Sequence, residues 1–99
     1  MDKSTEILKY SNPKVAQKKA NIYFGKQTPL YLSTRKNKKY MVEDPKGKKV
    51  HFGQLGYSDF TLHKDEKRRQ SYLSRASKIK GDWKNKPYSP NLLSQNILW

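Results

Sequence analysis

The residues of this chain that can do chemistry are overwhelmingly cations. Arg35, Lys36, Lys38 and Lys39 form one cluster, and Lys46, Lys48 and Lys49 a second. Lys67, Arg68, Arg69, Arg75, Lys78 and Lys80 form a third. Spaced cations on rigid elements hold phosphate backbones, and an Arg fork matches phosphate better than a Lys ammonium does. If about six to eight of them met phosphates, log K would fall against log salt with a slope of about −5 to −7. The charge is lopsided, 22 Lys plus Arg against 8 Asp plus Glu, a net of +14 in 99 residues. It is also uneven along the chain. Residues 1–34 carry a net +4, residues 35–86 a net +10, and residues 87–99 no charged side chain at all. Aromatic rings interleave with the cations. Most are expected in the core of so polar a chain, but Tyr57 and Trp83, which sit close to glycines, are candidates for stacking on bases.

Other constellations are weaker. Gly53-Gln54-Leu55-Gly56-Tyr57 resembles half of a phosphate loop but lacks the Lys-Ser/Thr that completes one, so it reads as a glycine turn from strand to helix. His51 and His63 are too far apart in sequence to suggest a metal site, even with Asp59 and Asp65 near the second. Glu43 and Asp44 are adjacent, so in a strand they point to opposite faces and make no catalytic pair. The chain has no cysteine, which removes disulfides, thiolate metal sites and cysteine nucleophiles. No enzymatic activity, cofactor, metal or small-molecule substrate is expected. The longest apolar runs are three residues, too short for a transmembrane helix or a signal-peptide core, so secretion is not expected. Asp2 after Met1 excludes N-myristoylation.

These side chains need elements to hold them. A chain of 11.7 kDa builds one small domain. Asn12-Pro13 is a cap-plus-proline helix start, and Gly25 is its stop, predicting a helix over 13–24. A helical turn at Ser4–Lys9, with Ser4 as cap, precedes it. Leu30-Tyr31-Leu32, Tyr40-Met41-Val42 and Lys49 to Phe52 read as three short antiparallel strands, ended by Gly53 and Gly56. The turns between them are Arg35-Lys36-Asn37-Lys38 and Asp44-Pro45-Lys46-Gly47. Lys64 to Lys80 predict a long basic helix with Tyr72, Leu73, Ala76 and Ile79 as its buried stripe and Gly81 as its end. Ser89-Pro90 starts a last short helix over 90–98. The fold class is α+β, in the order α-β-β-β-α-α, with helices on one face of a meander. Residues 1–99 are one domain, with 1–12 as an N-terminal arm and 87–99 as an uncharged, apolar docking segment. Leu92, Leu93, Ile97, Leu98 and Trp99 in that segment dock on the chain's own core or on a partner.

A longer pattern joins these pieces. Lys39-Tyr40-Met41-Val42, Pro45-Lys46-Gly47-Lys48, Val50-His51-Phe52-Gly53 and Gly56-Tyr57-x-Asp59-Phe60-Thr61-x-His63-Lys64-Asp65 follow one another. Arg68-Arg69-x-x-Tyr72-Leu73-x-Arg75, Gly81-x-Trp83, Tyr88-Ser89-Pro90-Asn91 and Asn96-Ile97-Leu98-Trp99 complete the series. Over roughly residues 30–99 this string resembles a family of short basic proteins encoded by large nucleocytoplasmic DNA viruses of algae and protists. The resemblance implies a viral setting, in the virion or the infected cell. It carries over no catalytic residues. At the level of element order alone, α-β-β-β-α also occurs in double-stranded-RNA-binding domains, but order does not give function. The acidic start Lys64-Asp65-Glu66 of the long helix counts against a standard reader of that kind.

Two roles follow. The first is a non-enzymatic protein that binds nucleic acid, DNA ahead of RNA, through the three clusters with little sequence specificity, for genome binding or condensation. The second is a minor capsid or cement protein whose basic face and apolar tail grip acidic surfaces of other virion proteins. A membrane-surface role ranks third, because no amphipathic helix with a lipid anchor accompanies the charge. Oligomeric state is left open by the sequence.

Overall fold

A computed structural model describes residues 3–99. Residues 1 and 2, the start of the expected arm, lie outside the described residues. Within them the molecule is α+β, a three-stranded antiparallel sheet framed by helices, in the order helices, strands, helices.

Asn12 opens α2 (Pro13–Phe24) as its sequence predicts, its side chain accepting the Lys14 and Val15 amide hydrogens. Gly25 closes α2 in the left-handed conformation. Ala16 and Ala20 are its buried face, while Ile22 is exposed. Before α2, residues 3–9 are not a loose arm. They form α1 (Lys3–Glu6) and a 3-10 turn (Ile7–Lys9), which drives Ile7 into the core. Ser4 lies inside α1 rather than capping it. The Lys3 ammonium donates to the carbonyls of Ser33, Arg35 and Lys38, clamping the first hairpin turn.

The meander is as expected in topology and longer than expected in two strands. Strands β1 (Tyr31–Leu32), β2 (Lys38–Glu43) and β3 (Lys49–Gln54) pair in sequence order. Gly53 does not break β3. It lies within it at φ +78°, and a Cβ there would sit 2.7 Å from Leu98 Cδ1. Glycine is therefore needed both for the backbone angle and for the approach of the C-terminal turn.

The expected long helix is shorter at both ends, and an unexpected short α3 (Phe60–His63), capped by Asp59, precedes it. Lys64 then turns the chain through φ +54°, and α4 (Glu66–Ala76) follows with Asp65 as its cap. α4 stops at Ala76, before Lys78, Ile79 and Lys80. Beyond it the Ala76 carbonyl accepts from the Ile79 amide and Asn91 Nδ2, and the Trp83 indole donates to the Ile79 carbonyl. Ile79 is consequently 54% exposed rather than part of a buried stripe. A 3-10 turn (Trp83–Asn85) leads to α5 (Pro90–Leu93), whose cap Ser89 accepts from the Leu92 amide.

The chain ends in one π turn, Ser94–Leu98. Widening the helix there turns Ile97 and Leu98 together into the core. Leu93, Ile97 and Leu98 join Ile7, Ala16, Ala20, Tyr40, Val42 and Phe52 in one cluster. The segment 87–99 therefore docks on its own domain, and these three leucine and isoleucine side chains are closed to any partner. Leu92 is half-buried, and Trp99 lies flat on Tyr72 with ring centroids 4.3 Å apart. Among the described residues, no helix is long and apolar enough to cross a membrane.

Candidate nucleic-acid interface

The basic clusters sort into three environments. The first is inside the molecule. Lys39 is 2% exposed, and its ammonium is 2.9 Å from the carboxylate of Asp59, which is wholly buried. Burial pushes the Lys39 amine below the ordinary lysine value, against the opposing pull of Asp59. An ordered chain of hydroxyls ends on the same carboxylate. Thr61 has one proton and gives it to Asp59. Ser11 must then donate to Thr61 across 3.1 Å, and the Tyr40 phenol donates to Ser11 across 2.7 Å. Burial lifts the Tyr40 phenol to about 12. Lys39 borders the groove described below, but its ammonium is turned inward to Asp59 and belongs to a sealed structural network.

The second environment is the far end of the sheet. The register sets Lys38 opposite Gln54 and Glu43 opposite Lys49, so the two hairpin turns point away from each other. Lys46 and Lys48 are exposed at the second turn, where Asp44 accepts both of their amide hydrogens. Lys49 is paired with Glu43 at 2.6 Å and lies over the Tyr31 ring. This cluster stands apart from the others.

The third environment is a groove of about 1140 Å³ between α4 and the Gly53 end of the sheet. α4 is held where Tyr72 stacks on Trp99 and Arg69 donates to the Trp99 main-chain oxygen at 2.9 Å. Its remaining groove-side residues face open space. Lys67, Arg68 and Arg75 line the α4 wall, and Lys38 faces them from β2. Arg68 also reaches Ser58 at 3.1 Å, tying α4 to the loop that carries Tyr57. Among the described residues, none of these four cations is in an ion pair. Asp65 also lines the groove, with one carboxylate oxygen committed to the Lys67 and Arg68 amides at the start of α4.

Both rings singled out in the sequence, Tyr57 and Trp83, border this groove. Tyr57 is 68% exposed. Arg69, by contrast, is turned to Glu66, Phe60 and Trp99, outside the groove. Arg35 and Lys36 are exposed on the first turn, and Lys78 and Lys80 on the chain beyond α4. Nothing in the sequence marks the other groove residues Tyr72, Trp99 and Leu98, the last of them close against Gly53. A glycine inside a strand signals a close backbone approach, but it does not say which side chain approaches.

The histidines have other work. His51 Nδ1 is 2.7 Å from the Ser33 hydroxyl. His63 accepts the Asp65 amide hydrogen on Nδ1 and packs against Phe60 and Trp99. Asp59 is turned to Lys39 and Thr61. Among the described residues, no three His, Asp or Glu side chains gather as metal ligands would.

Residues 28–76 match a family described as "Family of unknown function (DUF5754)". That span holds the sheet, the Gly53–Tyr57 segment, α3 and α4, and so both cationic walls of the groove. It leaves out α2 and the C-terminal residues of the groove. No curated protein and no solved structure matches the chain.

Proposed function

We propose that this chain is a non-enzymatic nucleic-acid-binding protein that holds phosphates in the α4 groove with little dependence on sequence. The observation that carries this reading is the convergence of Lys38, Lys67, Arg68 and Arg75 on one groove with Asp65 as the carboxylate beside them and, among the described residues, no ion pair to any of the four. Like charges gathered this way repel one another, and a polyanion relieves the repulsion while releasing its own counterions. In the viral setting that the sequence resemblance implies, the ligand is the genome, and the protein resides in the virion or the infected cell. The alternative role, a cement protein anchored by its C-terminal tail, loses the segment that motivated it, since Leu93, Ile97 and Leu98 are core.

The test is a titration against labelled duplex DNA, duplex RNA and a single strand at ~50 and ~200 mM salt. Four phosphate contacts predict affinity falling about 50- to 150-fold between the two salts. Weak binding to all three at both salts would remove the reading and turn attention to protein carboxylates.

A further inference from the structure

We infer that the ligand of the α4 groove is an unpaired polynucleotide strand, its phosphates on Lys38, Lys67, Arg68 and Arg75 and its bases stacked on Tyr57 and Trp83. This rests on the nucleic-acid reading and narrows it.

Three observations favour a strand over a duplex. The first concerns the rings. Among the described residues the Tyr57 side chain has no ring contact or hydrogen bond, and it stands 68% exposed at the groove. The loop that carries it is held to α4 by the bond between Arg68 and Ser58. The Trp83 indole N–H is spent on the Ile79 carbonyl at 2.7 Å, which fixes the ring and leaves its π face as what it can offer. Lys84 lies over that ring at 5.5 Å, so a base takes the opposite face. In a duplex the bases already stack on each other, and such rings find nothing to cover. In a single strand every base presents a π face.

The second observation is the groove's mixed lining. Its cations stand on the walls, while Ile79, Tyr72 and Trp99 contribute apolar surface between them. A duplex presents sugar and phosphate to whatever it touches, and pressing those against apolar atoms strips water from them without return. A strand can turn its phosphates to the walls and its bases inward. The third observation is size. At about 1140 Å³ the groove exceeds the ~300–1,000 Å³ typical of small-molecule clefts. Nothing in this arrangement depends on a 2′-hydroxyl, so DNA and RNA strands serve equally.

The experiment measures binding of the full chain to labelled oligothymidine, oligouridine and a duplex of equal length at one salt concentration. The two strands are expected to bind alike and to outbind the duplex by about tenfold or more. Tyr57→Ala and Trp83→Ala should each weaken strand binding by about 5- to 150-fold and leave the duplex within about twofold. Tyr57→Phe keeps the π face and should restore binding to within about twofold of the parent. Tyr57 is exposed, so its variants report stacking even where Trp83→Ala disturbs the fold, which circular dichroism would detect. Duplex binding as tight as strand binding overturns the inference, as do aromatic variants without effect. If Arg75→Gln still weakens binding in that case, the nucleic-acid reading survives alone. No binding to any of the three probes overturns both.

Discussion

Lys38 and Lys39 are neighbours in β2, and they serve two regions of opposite design. Lys39 points into a sealed interior, where Asp59 neutralises it and an ordered chain from Tyr40 through Ser11 and Thr61 completes the carboxylate's hydrogen bonds. Lys38 points into the groove, where Lys67, Arg68 and Arg75 repeat its charge and none of the four has an ion-pair partner among the described residues. The interior can hold charge only because every polar group there is matched, since an unmatched one costs several kcal/mol. The groove can leave charge unmatched only because water screens it. Both residues border the groove, but the same side chain is structural at one position, where Asp59 claims its ammonium, and available for binding at the next.

The comparison can be broken in several ways. The largest effect is expected from ending the chain after Pro87. This removes Leu93, Ile97 and Leu98, each worth about 2–5 kcal/mol in a packed core, and should abolish the cooperative thermal transition. A protein that stayed folded would show that the interior does not depend on the tail. Next is Lys39→Met, which leaves Asp59 buried without its partner and should cost about 3–5 kcal/mol in denaturant unfolding. Gly53→Ala follows, at about 1–3 kcal/mol, because the new Cβ meets Leu98 and Lys39 at a backbone angle that alanine avoids.

Lys38→Met sharpens the contrast from the groove side. Its stability should stay within about 0.5 kcal/mol of the parent, while the salt slope of nucleic-acid binding falls by about 1. Equal losses of stability for Lys38→Met and Lys39→Met would erase the distinction between the two regions. The smallest effect is a pH dependence. Burial, and after it the nearby Arg68, hold the His63 imidazole below its ordinary value, and burial and then Arg35 do the same to His51. The folded state therefore binds protons less readily than the unfolded chain. Stability should be full above pH 6.5 and decline as pH falls below it, seen as a modest drop in melting temperature between pH 7.5 and 5. His63→Phe should flatten that drop, while the His51 part remains.

Much of this molecule was legible from local chemistry. Asn12, Ser89 and Gly25 mark helix ends because a cap or a left-handed glycine acts within a few residues of itself. The turn at Asp44–Gly47 and the order of the strands are local for the same reason. The short α3 before Lys64, the later start of the basic helix at Glu66 and its early end at Ala76 were not legible. They depend on Asp65, whose cap competes with continuation, and on Asn91 and Trp83, whose side chains arrive from later in the chain. The groove was half legible. Its cations and its rings Tyr57 and Trp83 could be named from type and spacing, but not the exclusion of Lys46, Lys48, Lys49 and Arg69 from it.

The amino-acid sequence by itself determined that this is a small, strongly basic α+β domain without cysteine chemistry, because composition and short-range capping need no long-range contact to act. Which cations stand in water was decided only by the tertiary structure. In sequence, Lys38 and Lys39 are the same residue side by side, and what separates them is Asp59, twenty residues away, arriving beneath one and not the other. The electrostatic environment of a side chain belongs to the groups that folding brings around it.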